Sequence, residues 1–92
     1  MNKEEAKVIL AKDIAKYRQR YYNDLLCLLE SSNTFDIETS SGVKYQLEFQ
    51  AVWDDKKDDS LRIIGSIDGR IRSLFPLTND FILTPNGLFV GE

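Results

Sequence analysis

Val43-Lys44-Tyr45-Gln46-Leu47-Glu48-Phe49-Gln50-Ala51-Val52-Trp53-Asp54 is the stretch that decides the fold. Val43, Tyr45, Leu47, Phe49, Ala51 and Trp53 are all apolar, and among the residues between them only Val52 is. Successive side chains of a strand point to opposite faces, so this alternation means a strand with one buried and one wet face. A face of that kind has to be covered by a second layer.

The covering layer is legible upstream. Residues 3–30 contain neither Gly nor Pro, and Asn2 followed by Glu5 has the spacing of a helix-starting capping box. At 100° per residue, Ala6, Leu10, Ile14, Tyr17, Tyr21, Leu25 and Leu28 gather on one face. Val8, Ala11, Ala15, Tyr22, Leu26 and Leu29 widen that arc on one side, whereas Glu5, Lys12, Lys16, Asn23 and Glu30 lie opposite. A helix over 2–30 would be about 42 Å long, at 1.5 Å per residue. So long a helix on so small a domain either breaks in two or packs partly against something beyond its own sheet.

Downstream of the central strand the runs are short and separated by turn signals. Thr34 to Thr39 alternates ahead of it, and Ser40-Ser41-Gly42 is a turn. The charged connection Asp54–Asp59 leads to a third strand with Leu61, Ile63, Gly65 and Ile67 on one face. Asp68-Gly69 predicts a two-residue hairpin, with Arg70 to Phe75 returning and Pro76 ending that strand. A turn at Thr78-Asn79-Asp80 then precedes the apolar run Phe81-Ile82-Leu83. Thr84-Pro85-Asn86-Gly87 has turn chemistry, and Leu88-Phe89-Val90 closes the chain. The fold class is therefore α+β. One long N-terminal helix, continuous or broken, packs on an antiparallel meander of four to five strands, and 1–92 is a single domain with its sheet over 34–92.

The tail from Leu61 to Glu92 resembles small bacterial proteins of uncharacterised function. The residues that carry the resemblance are Gly65-Ser66-Ile67-Asp68-Gly69, Phe75-Pro76-Leu77-Thr78, Asp80-Phe81-Ile82, and Pro85-Asn86-Gly87 to Gly91-Glu92. It implies a bacterial source and carries over neither an activity nor site residues.

Composition narrows the chemistry. The 92 residues include no His and one Cys, so a zinc site or a His-activated nucleophile cannot be assembled within one chain. Cys27 alone cannot form an intramolecular disulfide, and the charged N-terminus lacks a signal-peptide core, so a cytoplasmic setting is expected. No stretch is apolar enough to span a membrane. The net charge of -3 does not favour nucleic acid. The negative excess lies in residues 31–92, which carry six Lys or Arg against ten Asp or Glu.

Several residues invite a functional reading. Asp54–Asp59 offers carboxylates to a divalent cation, but Lys56 and Lys57 oppose one, so a solvated hairpin tip is preferred and no metal is expected. Lys16 to Tyr22 mixes basic and aromatic residues. On a continuous helix the tyrosines face the apolar arc while Lys12, Lys16 and Arg20 form a separate wet row, which speaks against stacked nucleic acid. Arg18 falls inside the apolar arc, either as an anion-binding or interface arginine or, preferably, snorkelling to the helix edge. Trp53 either anchors an interface or closes one end of the core. Glu48 has no second acid to pair with, and no catalytic constellation is recognisable.

The leading expectation is a non-enzymatic protein-interaction module without cofactor. It would self-associate as a homodimer to cover its surplus helix surface, or bind another protein. An inhibitor or immunity-type role is one form of it, since a small acidic chain suits a basic surface. The alternative is a small-ligand or anion-binding domain with a pocket between helix and sheet. Arg18, Tyr17, Tyr21, Tyr22 and Trp53 are the candidate binding residues.

Overall fold

The computed structural model describes residues 3–69 and 77–91. Its elements are α1 (Lys3–Arg18), α2 (Tyr22–Leu25), a 3-10 helix (Leu26–Leu29), β1 (Asn33–Glu38), β2 (Lys44–Asp55), β3 (Ser60–Gly69) and β4 (Leu77–Leu83). The strands form one open antiparallel sheet in the order β1-β2-β3-β4. An N-terminal helix on a four-stranded antiparallel sheet is thus the observed architecture. Among the described residues no helix is long and apolar enough to cross a membrane.

The alternation of β2 does what its sequence demands. Tyr45, Leu47, Phe49 and Ala51 are buried with Leu61, Ile63 and Ile67 of β3 and with Phe81 and Leu83 of β4. From α1, Ala6, Leu10, Ile14 and Tyr17 press onto that face. Tyr17 stacks on Phe49 with ring centroids 4.2 Å apart. Opposite Phe49 across the sheet stands Gly65. A Cβ added there would lie 2.5 Å from Phe49 Cε1 and 3.1 Å from Ile14 Cδ1, so the absent side chain is what admits the ring.

The helix does not run to residue 30. Gln19 N–H donates to the Lys16 carbonyl and Arg20 N–H to the Tyr17 carbonyl, the tighter closures that end an α-helix. Tyr21 is then extended, with ψ 152°. The reason lies in what the following residues bury. Near one end of α1, Glu5 accepts a hydrogen bond of 2.7 Å from Tyr45 Oη. At the other end, Arg18 lies over Phe81 and Phe89. Past Arg18 the chain turns, and Leu25 and Leu28 are buried on the core after the turn. Tyr21 falls out of the apolar arc at this break and is 81% exposed. The widened flank of the arc also stays partly open, with Val8 68% exposed.

Two downstream readings change. Ile67 pairs with Leu77, and Asp68 and Gly69 pair with Gln46 and Tyr45, so Asp68-Gly69 belongs to β3 and is not a two-residue hairpin. Thr78-Asn79-Asp80 is strand rather than turn, since Thr78, Asn79 and Asp80 pair with Ser66, Gly65 and Ile64. Cross-strand partners here override local turn preference. The returning strand expected at 70–75, Pro76, and the Asn2 half of the capping box lie outside the described residues. Both other turns form as read. Gly42 and Gly87 have φ of 84° and 85°, and their N–H groups donate to Thr39 and Thr84 carbonyls respectively.

Candidate functional site

The functional surface gathers at the end of the domain where α1 stops. Three segments meet there: the break after Arg18, the β2–β3 connection, and the tail that follows β4. The tail is drawn back by pairing of Leu83 with Phe89 and by a hydrogen bond from Val90 N–H to the Ile82 carbonyl. Tyr22 Oη donates to the Asp59 carbonyl at 2.6 Å and ties the break to the β2–β3 connection. The register of β2 against β3 shifts between Trp53 and Asp55, at the start of this connection.

Two hollows flank the tail. The first has a volume of about 540 Å³, and Arg18, Arg20, Tyr21, Tyr22, Asn86 and Phe89 are among its walls. Both guanidinium groups rest on aromatic rings. Arg18 Cζ lies 4.5 Å from the Phe89 centroid and 5.5 Å from that of Phe81. Arg20 Cζ lies 4.4 Å from the Tyr17 centroid. Over the Tyr17 ring, the Arg20 guanidinium can present donors on its edge to a carboxylate or phosphate. The second hollow, about 440 Å³, has walls that include Asp54, Asp55, Asp58, Leu88 and Val90. Pro85 and Asn86 belong to both, so basic and acidic hollows share one ridge.

The acidic side is crowded. The Asp58 carboxyl is pushed above its ordinary range, first by the charge of Asp55 and then by a hydrogen bond to it, with burial and Asp59 adding. Asp55 Oδ1 accepts from Lys57 N–H at 3.0 Å, which shapes the turn. Asp54 is spent differently. It accepts from Arg62 Nη2 at 2.7 Å, while Arg62 Nη1 donates to Asp80. These bonds, to Asp54 first and then to Asp80, hold the Arg62 guanidinium above its ordinary value. Arg62 stands opposite Val52 on one side and Ile82 on the other, on the sheet face turned away from α1. Among the described residues, no three or more of Cys, Asp and Glu are grouped to hold a metal ion.

No known protein family, curated protein or solved structure matches the chain.

Of the five candidate binding residues, the fold brings Arg18, Tyr21 and Tyr22 into one hollow. Tyr17 is buried, with Phe49 stacked on it and Arg20 over its ring, so it supports that hollow from beneath. Trp53 ends the inner-face row at the same end, opposite Leu61, and stays 39% exposed. Beneath the C-terminal part of α1 the helix–sheet contact is filled by Ile14, Tyr17 and Phe49, so the hollow lies beyond the helix rather than between helix and sheet. Arg20, Asn86, Leu88 and Phe89 were not singled out by the sequence reading. A continuous helix assigns Arg20 to a wet row apart from the aromatics. The break removes it from that row and lays it on Tyr17, so basic and aromatic groups do share a surface. The turn chemistry of Thr84–Gly87 was visible, but nothing local says that the tail folds back against the end of α1.

Proposed function

We propose that this chain is a non-enzymatic protein-interaction module that docks its partner through the end of the domain where α1, the β2–β3 connection and the tail converge. One observation carries the reading. Among the described residues the exposed large hydrophobic side chains are Val8, Tyr21, Val52, Trp53, Leu88 and Val90; Tyr21, Leu88 and Val90 line the two hollows and Trp53 lies at the same end of β2, whereas Val52 is on the opposite sheet face and Val8 on α1. Scattered exposed apolar residues need no explanation, but their concentration between charged groups is the anatomy of an interface. Tyr and Arg supply most interface anchors, and Tyr21, Arg18 and Arg20 follow one another closely at the break. The paired acidic and basic hollows add charge that sets orientation and excludes wrong partners.

The test is a photo-cross-linking residue placed at Tyr21 and, as control, at Val8, with the protein expressed in its native cells. Adducts at Tyr21 and none at Val8 are expected. Equal labelling at both positions, or none at either, ends this reading.

A second reading has one observation in its favour. Two ring-supported guanidiniums beside Asn86 and Gly87 fit a small anion, and the hollow falls in the size range of small-molecule sites. Thermal stabilisation by citrate or phosphate, lost in Arg20→Ala, would support it. Identical melting curves with and without these anions would dismiss it.

A further inference from the structure

We propose that the partner is a second copy of this chain, related by a two-fold axis near the Pro85–Asn86 ridge. The Arg20 side of each copy meets the Asp55 and Asp58 side of the other. The inference rests on the docking role just given to this end and names its occupant.

The first argument is geometric. An isologous interface requires one patch to be complementary to itself, so that contact i to j is matched by j to i. A basic and an acidic hollow that share Pro85 and Asn86 meet this requirement. Half a turn about the shared ridge places each hollow of one copy on the opposite hollow of the other. Because both hollows lie at one end, the arrangement closes at two copies rather than running on as a filament.

The second argument is charge. Arg20 makes no ion pair among the described residues, and its side chain is held by Tyr17 alone. Asp55 and Asp58 crowd each other, and neither forms an ion pair among the described residues. An incoming guanidinium relieves that crowding, and a carboxylate supplies the guanidinium with what ring stacking cannot. Arg62 offers a contrast on the same chain. Its charge is met by Asp54 and Asp80, so the outer sheet face calls for no charged partner.

Apolar groups match in the same sense. Tyr21 stands exposed on the basic side, with Leu88 and Val90 exposed on the acidic side. The half-turn sets Tyr21 of one copy against Leu88 and Val90 of the other. Both alternatives lack this pairing. The exposed strip around Val8 on α1 has its nearby charges Lys7 and Glu4 already paired with each other, and the acidic outer edge of β1, with Asp36 and Glu38 exposed, would repel its own copy.

The experiment uses the purified full chain. Sedimentation equilibrium over a wide concentration range is expected to show the mass rising from 10.6 kDa to twice that value. Arg20→Glu and Asp58→Lys are each expected to weaken the dimer by roughly tenfold or more, with the melting temperature unchanged at dilutions where the chain is monomeric, because both side chains are exposed there. The double variant Arg20→Glu/Asp58→Lys is expected to regain the dimer, since the reversed charges meet across the axis. A photo-cross-linker at Tyr21 should attach to residues 54–59 or 84–91 of the second copy. A mass that stays at 10.6 kDa at every concentration overturns the inference, as does a dimer indifferent to both reversals. If the Tyr21 cross-linker in cells captures a different protein while the pure chain stays monomeric, the second copy is wrong and the docking role stands. If it captures nothing, both fall.

Discussion

Tyr22 Oη donates a 2.6 Å hydrogen bond to the carbonyl of Asp59, joining residues 37 positions apart. This bond fastens the start of α2 to the β2–β3 connection, so it sets how the two hollows stand to each other. Burial, with the Asp59 charge adding to it, raises the phenol above its ordinary value of 10.0. A raised value means that the folded state favours the neutral, donating form. Its contribution is therefore complete below pH 10.0 and is lost as pH rises through the folded value. Tyr22→Phe is expected to cost about 0.5–1 kcal/mol in urea unfolding at neutral pH, at the low end for a hydrogen bond because water competes there. The difference from wild type should shrink as the phenol ionises. A difference that grows with alkalinity would refute the assignment.

Gly65 and Phe49 make the second prediction. The Cβ of Gly65→Ala would come within 2.5 Å of the Phe49 ring, which is itself pinned by Tyr17 from the helix side. Overpacking of a filled core costs about 1–3 kcal/mol, and this variant is expected in that range. Adding Phe49→Leu should recover part of the loss beyond simple additivity, as a double-mutant cycle would read. Full additivity would mean that the two sites do not touch.

The break in the helix is tested by two residues one helical turn apart. On a continuous helix Tyr21 and Leu25 share a face, yet Leu25 is fully buried and Tyr21 is exposed. Leu25→Ala is expected to lower stability by about 2–5 kcal/mol, the range for emptying a buried leucine site. Tyr21→Ala should stay within about 0.5 kcal/mol, as surface changes do. Chemical denaturation of both variants decides it, and equal losses would restore the continuous helix.

Arg18 and Lys16 are both cations in the last turn of α1, but only Arg18 lies over Phe81 and Phe89. Lys16 is paired to Asp13 at 3.4 Å with its own side chain largely in water. Arg18→Ala is expected to cost about 1–2 kcal/mol through lost ring contact and stem packing. Lys16→Ala should cost no more than about 0.5 kcal/mol, as exposed pairs do. Equal melting temperatures for the two variants would remove the distinction.

What the amino-acid order determines by itself is whatever one element can express alone. The alternation from Val43 to Trp53 specifies a half-buried strand wherever it is placed, because adjacent side chains must point to opposite faces. The spacing of Ala6, Leu10, Ile14 and Tyr17 likewise specifies a helix with one face to bury, and all four are buried. Gly42 and Gly87 announce their turns, since a positive φ suits glycine. Where α1 stops is another matter. No breaking residue marks it, and past the stop Leu25 and Leu28 turn onto a core built from strands that follow much later in the chain. Thr78-Asn79-Asp80 reads as a turn in isolation and becomes strand only because Ser66, Gly65 and Ile64 are there to pair with it. The candidate site belongs to this second kind. Arg18, Tyr21 and Tyr22 were visible as unusual residues, but Phe89 and the acidic connection reach them from distant sequence. Only tertiary packing decided that a basic and an acidic hollow share one ridge, because charge and contact across space leave no periodicity in the chain.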